Sequence, residues 1–161
     1  MNAAPVVYAG SFDPVTNGHA DIARRARDVF GSVIVLLIAN ANKHPLFSED
    51  ERFLLLQQTF KDEPGIRVER AGGLLTDFLK KHGLRVLVRG VRGPSDVAHE
   101  MLNAHYNKKF YPLVETVFLP GRAEYAFLSS SAVREAVGYG ADVSDLVPPC
   151  VAQALAQKNK N

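Results

Sequence analysis

The chain has 161 residues, 47% of them hydrophobic and 22% charged, with a net charge of only +2. That length suits one domain, 1–161, around one core, and the weak positive balance argues against a nucleic-acid partner, which would call for a basic face. The single cysteine, Cys150, excludes an internal disulfide and a cysteine-based metal centre, and the absence of a long apolar run or a signal-like opening argues against a membrane partner and predicts a cytoplasmic protein.

Residues 6–10, VVYAG, read as a buried strand ended by a turn. HADIARRARDVF, 19–30, places Ile22, Ala23, Ala26, Val29 and Phe30 on one helical face with arginines opposite. Gly31 then supplies a stop. VIVLLIA, 33–39, is unbroken in its apolar character, which predicts a strand covered on both faces, as in a parallel sheet. The loop 40–47 follows. SEDERFLLLQQTF, 48–60, opens with Ser48 and Glu51 three apart, a capping box that predicts a helix.

IRVER, 66–70, is a third strand, and LLTDFLKKH, 74–82, a helix stopped by Gly83. RVLVRG, 85–90, is a fourth strand. The helix of 94–110 has Pro94 near its start, a position proline tolerates. ETVFLPG, 115–121, is the fifth strand, and 129–140 and 147–158 are the last helices.

Strands that alternate with helices predict an α/β fold, a doubly wound five-stranded parallel sheet with right-handed crossovers. In such sheets ligands bind outside the carboxyl ends of the strands. The polar residues agree with that rule. Residues 10–19 follow the first strand, Lys43 the second, Gly72 and Gly73 the third, Arg89 and Arg92 the fourth, and the serines 129–131 the fifth. Chance would scatter them over both edges.

GSFDPVTNGH, 10–19, is the most constrained stretch. Gly10 lets the chain leave the strand without a Cβ in a ligand's way. His19 falls in a first helical turn, where free N–H groups and the helix dipole favour an anion. This stretch resembles the T/HxGH motif of the nucleotidyltransferase superfamily, with Thr16 at its first position. Together with RGVR, 89–92, and FLSSSAVRE, 127–135, it is similar to the phosphopantetheine adenylyltransferases over nearly the whole chain.

The resemblance implies a Rossmann-like nucleotidyltransferase fold and transfer of AMP from ATP to 4′-phosphopantetheine, with Mg²⁺ accompanying ATP. It also implies a homo-oligomer, a hexamer, and feedback inhibition by coenzyme A. His19 matches the histidine that stabilises the transition state. Ser11, Lys43, Leu75 and Arg89 match acceptor-binding positions. Ser11, Phe12, His19, Gly90, Val91, Arg92, Glu100, Tyr125, Ala126, Phe127, Leu128, Ser129, Ser130 and Ser131 match ATP-binding positions, with Glu100 as a ribose hydroxyl acceptor. Arg134 could add charge to the same site. One stretch departs from the family pattern: where that pattern reads close to AxxDFEYE, this chain has GPSDVAHE, 93–100, so Asp96 and Glu100 stand but Val97, Ala98 and His99 lie between them. No metal ligand is expected from the protein itself, since Mg²⁺ keeps several waters and rides on substrate phosphates.

Overall fold

The structure is a computed structural model that describes residues 4–38 and 45–158. In chain order it comprises β1 (Val6–Gly10), α1 (Asn17–Phe30), β2 (Val33–Ile38), α2 (Glu49–Phe60), β3 (Ile66–Ala71), α3 (Leu75–His82), β4 (Val86–Val91), α4 (Pro94–Phe110), β5 (Glu115–Pro120), α5 (Ser130–Gly138) and α6 (Pro149–Lys158). Every element expected from the sequence is present with its ends within two residues. A 3-10 turn at Ala123–Tyr125 is additional; three residues carry too little periodicity to be read in advance.

The five strands form one parallel sheet in the order β3-β2-β1-β4-β5. From β1 the chain winds outward through β2 to β3, then returns to pair β4 against the other side of β1. The carboxyl ends of β1 and β4 therefore flank the point where the winding reverses, which is where doubly wound sheets open a crevice. β1 and β2 run in register from Val6 opposite Val33 to Gly10 opposite Leu37.

The apolar run of β2 is divided between two cores, as its composition predicts. Val33, Val35 and Leu37 face a large cluster that takes in Ile22, Ala23 and Ala26 of α1, Leu55 and Leu56 of α2, Val133 of α5, and Val151 and Leu155 of α6. Ile34 and Leu36 face a smaller one with Val7, Leu87, and Leu79 of α3. Roughly 1.5–3 kcal/mol for each fully buried aliphatic side chain makes these two layers the main source of cohesion. Val29 does not join them. It is 67% exposed, because it lies in the last turn of α1 where the chain turns away at Gly31, and Phe30 keeps the core contact instead.

α1 starts at Asn17, with Thr16 as its N-cap, so His19 is the third helical residue. α4 starts at Pro94, as expected, but buries none of its residues.

Candidate active site

A cleft of about 410 Å³ opens at the carboxyl ends of β1 and β4. Ser11, Phe12, His19, Arg89, Gly90, Val91, Arg92, Glu100, Tyr125, Leu128, Ser129, Ser130 and Ser131 all line it, so four separate stretches of chain converge on one space. Leu75 lies elsewhere: it lines an adjoining cavity of about 220 Å³, which shares Arg89 and Glu100 with the cleft. Ala126 and Phe127 line neither, and Phe127 is 70% exposed. Lys43 lies outside the described residues.

His19 is fixed by the residue that caps its own helix. Its backbone N–H donates to Thr16 Oγ1, 3.3 Å away, and its ring Nδ1 accepts from the Thr16 backbone N–H at 3.1 Å. Thr16 Oγ1 lies 3.1 Å from the same ring nitrogen. The Phe12 ring stands edge-on to the imidazole, 5.2 Å between centroids. Burial, then the nearby charges of Arg89 and Arg92, push the His19 pKa down to about 4, so the ring is neutral near pH 7. A neutral ring whose Nδ1 accepts must carry its proton on Nε2. That N–H is a donor suited to an oxyanion.

Phe12 reaches this position with a φ of +44°, an uncommon conformation for a residue with a side chain. The turn brings its ring under Gly10, where an added Cβ would come within 3.0 Å of it. Phe12, rather than a ligand, thus takes up the space that Gly10 leaves. Gly90 is the corresponding position on β4: a Cβ there would come within 3.0 Å of Ile22, so α1 rests directly on the strand.

Arg89 and Arg92 each meet an acid of α4. Arg89 holds Glu100 through two parallel bonds, Nε to Oε2 at 2.8 Å and Nη2 to Oε1 at 2.7 Å, and also donates to the Ala9 carbonyl. Burial works against the Arg89 charge, but Glu100 outweighs it and the guanidinium stays protonated. Arg92 donates to Asp96 at 2.8 Å and to the Leu128 carbonyl at 2.7 Å. Arg92 in turn holds the Asp96 carboxyl below the usual carboxylate range. The departure at 97–99 therefore leaves both arginine–acid pairs intact, and only His99 of those three residues reaches the cleft. Both Glu100 oxygens are occupied by Arg89, which makes its first task the orientation of that arginine.

The three serines have different roles. Ser129 caps α5, its Oγ accepting from the Ala132 N–H at 3.0 Å. Ser130 Oγ donates to the Pro14 carbonyl at 2.8 Å, and Ser131 Oγ accepts from Arg134 at 3.1 Å. Ser130 thus ties α5 to the loop after β1, and Arg134 adds a second tie, a bond to the Asp13 carbonyl at 2.6 Å.

Two charged residues of the cleft carry no motif signal in the sequence. Asp13 is 4% exposed and accepts from the backbone N–H groups of Leu46 and Phe47 at 2.8 and 2.9 Å, fastening the entry to α2 onto the loop after β1. Arg52, in α2, is 5% exposed and donates from Nη1 to the Ser11 carbonyl at 2.8 Å. The available signal was position: the first turns of helices that follow strands face the same edge as the loops. Among the described residues there is no group of three or more His, Cys, Asp or Glu side chains arranged to hold a metal ion.

The model of the cytidylyltransferase-like family matches residues 7–136. Over 152 residues the chain is 49% identical to a phosphopantetheine adenylyltransferase of Heliobacterium modesticaldum, covering 94% of this chain and 90% of that protein. It is 47% identical over 154 residues to a protein of the same name from Dictyoglomus turgidum, covering 96% of each. A third of that name, from Thermotoga neapolitana, is 46% identical over 154 residues and also covered to 96% on both sides.

Proposed function

Since this chain belongs to the phosphopantetheine adenylyltransferases, within the cytidylyltransferase-like family, we propose that it moves AMP from ATP to 4′-phosphopantetheine, giving dephospho-coenzyme A and pyrophosphate. It is a nucleotidyltransferase of coenzyme A biosynthesis. The observation that carries this reading in the chain itself is the convergence of His19, Ser11, Arg89, Arg92 and the 129–131 helix start on one cleft.

The chemistry asks little of the protein in proton transfer. The acceptor phosphate is mostly a dianion near pH 7, since its second pKa is about 6. One of its oxygens forms a bond to the α-phosphorus of ATP, and the bond from that phosphorus to the β-bridging oxygen breaks. Pyrophosphate takes the electron pair. The protein must bring two anions together and stabilise the charge that spreads over the α-phosphate and the leaving group.

Each side chain has a place in that task. His19 donates Nε2–H to a non-bridging oxygen of the α-phosphate. Arg89, held in a fork by Glu100, grips the acceptor phosphate, and Ser11 and Lys43 are assigned to the same group by their match to the family's motif. Arg92, Arg134 and the backbone N–H groups at the start of α5 meet the β- and γ-phosphates, where a helix N-terminus favours negative charge. The adjoining cavity with Leu75, Asn103 and Tyr106 takes the pantetheine arm. Mg²⁺ arrives as part of the substrate, on the ATP phosphates.

The same reading includes a homohexamer, inhibition by coenzyme A, and the cytoplasm, where ATP is plentiful. Met101, Leu102, Tyr106 and Phe110 of α4 are exposed, beside the edge strand β5, and such an apolar face supports association with further copies. Coenzyme A carries the same pantetheine arm as the product and would compete for its groove.

The test is product identity. Purified protein with ATP, Mg²⁺ and 4′-phosphopantetheine should release pyrophosphate and form dephospho-coenzyme A, identified by mass. Pyrophosphate release that does not depend on the acceptor would refute this assignment of substrate.

A further inference from the structure

Four arginines line the cleft: Arg52, Arg89, Arg92 and Arg134. Three have a carboxylate within 4.0 Å, namely Glu100, Asp96 and Asp13. Arg52 has none among the described residues, although three acids, Glu49, Asp50 and Glu51, precede it on its own helix. Two of those are engaged elsewhere: Asp50 with Arg70, and Glu51 with Lys158 and the Ser48 N–H. Residues 39–44, which precede α2 in the chain, include no acidic residue and so can supply no side-chain counter-charge.

Arg52 is also the most buried of the charges without a carboxylate, at 5% exposure. Its contacts among the described residues are neutral carbonyls, Ser11 at 2.8 Å and Ser48 at 3.4 Å. A guanidinium has five N–H donors, and two bonds leave most of them unspent. Burying a charge is costly unless something pairs with it. The fold keeps this one at the wall of a site built for anions, in contact with the backbone of Ser11.

We propose that Arg52 binds a substrate phosphate directly, beside Ser11, and that this anion is the counter-charge the fold leaves out. The ligand chemistry is a phosphate oxyanion, from either the acceptor monoester or the polyphosphate of ATP. The inference rests on the function proposed above, and it extends the binding set by one residue contributed by α2.

The experiment compares thermal unfolding of wild type and Arg52→Met, each without ligand and with ATP, 4′-phosphopantetheine or pyrophosphate. Methionine keeps an apolar stem and removes the charge. The expected result is an unliganded midpoint equal to or above that of wild type, with affinity for at least one phosphate ligand weakened about tenfold or more, as losing a bond to a charged group predicts. The ligand whose stabilisation collapses identifies which phosphate Arg52 holds. Wild-type affinity for all three would overturn the assignment, and a merely structural arginine would instead lower the unliganded midpoint. Should Arg52→Met fail to fold, Arg52→Lys, which lacks the fork, is expected to show the weaker binding, and unchanged binding there would overturn it equally. A wild type stabilised by pyrophosphate but by neither substrate would sink the proposed function alone, while the pyrophosphate arm would still decide the role of Arg52.

Discussion

The backbone N–H of Thr16 donates to Nδ1 of His19 across 3.1 Å, so the residue that caps α1 also sets the tautomer of the histidine in its first turn. One short motif thereby builds the helix start and aims a proton-bearing Nε2 away from it. Histidine at the motif's first position is not needed for this, because the bond comes from the main chain.

Replacing His19 by alanine should lower kcat about 10²–10³-fold, the usual cost of one preorganised donor to a developing oxyanion. KM for ATP should change much less, since the bond strengthens as the reaction proceeds. Steady-state pyrophosphate release measures both. A large KM effect with unchanged kcat would place the ring in ground-state binding instead.

The same ring makes stability depend on pH in a defined window. Its pKa is about 4 in the folded protein and 6.5 in the unfolded chain. Below about pH 6.5 the unfolded chain takes up a proton that the folded site refuses, so stability drains away as pH falls from 6.5 towards 4. Above that window His19 adds no pH dependence. The thermal midpoint of wild type minus that of His19→Gln should therefore fall from pH 6.5 to 4 and stay flat from pH 7 to 8.5. A constant difference throughout would show that the ring is not held neutral.

Arg89 and Glu100 should behave as one unit. Arg89→Ala should raise KM for 4′-phosphopantetheine by tenfold or more, as expected when a bond to a charged group is lost. Glu100→Gln should raise it less, by leaving the guanidinium poorly oriented. The double variant should resemble Arg89→Ala alone, because Glu100 acts on the acceptor through Arg89. If Glu100→Gln instead raised KM for ATP, and did so equally in the Arg89→Ala background, direct contact with the nucleotide would be its main role.

Gly90→Ala tests the packing that seats α1 on β4. The added Cβ would come within 3.0 Å of Ile22 Cγ1, and overpacking of this kind costs about 1–3 kcal/mol. Urea unfolding should show that loss in the wild-type background. In an Ile22→Ala background, where the opposing atoms are gone, the same glycine substitution should cost clearly less.

The elements and the sheet edge that carries the polar loops were legible in the chain's own pattern, and most of the cleft's lining in its resemblance to the family's motifs. The signals for the elements and the edge are local: the unbroken apolar run of β2, the Ser48–Glu51 box, and the loops that follow each strand. Local patterns cannot state strand order, since pairing joins residues far apart in the chain and leaves no periodicity to read. Only the tertiary structure placed β4 beside β1, and so brought Arg89 and Arg92 into one cleft with His19. It also decided the partners. Glu100 lies eleven residues after Arg89 but meets it because α4 folds back over β4, and Arg52 reaches Ser11 because α2 packs on the same face as α1. Burial depends on what the fold lays over a residue, which is why Val29, on the apolar face of its helix, is exposed, while the charged Arg52 is buried.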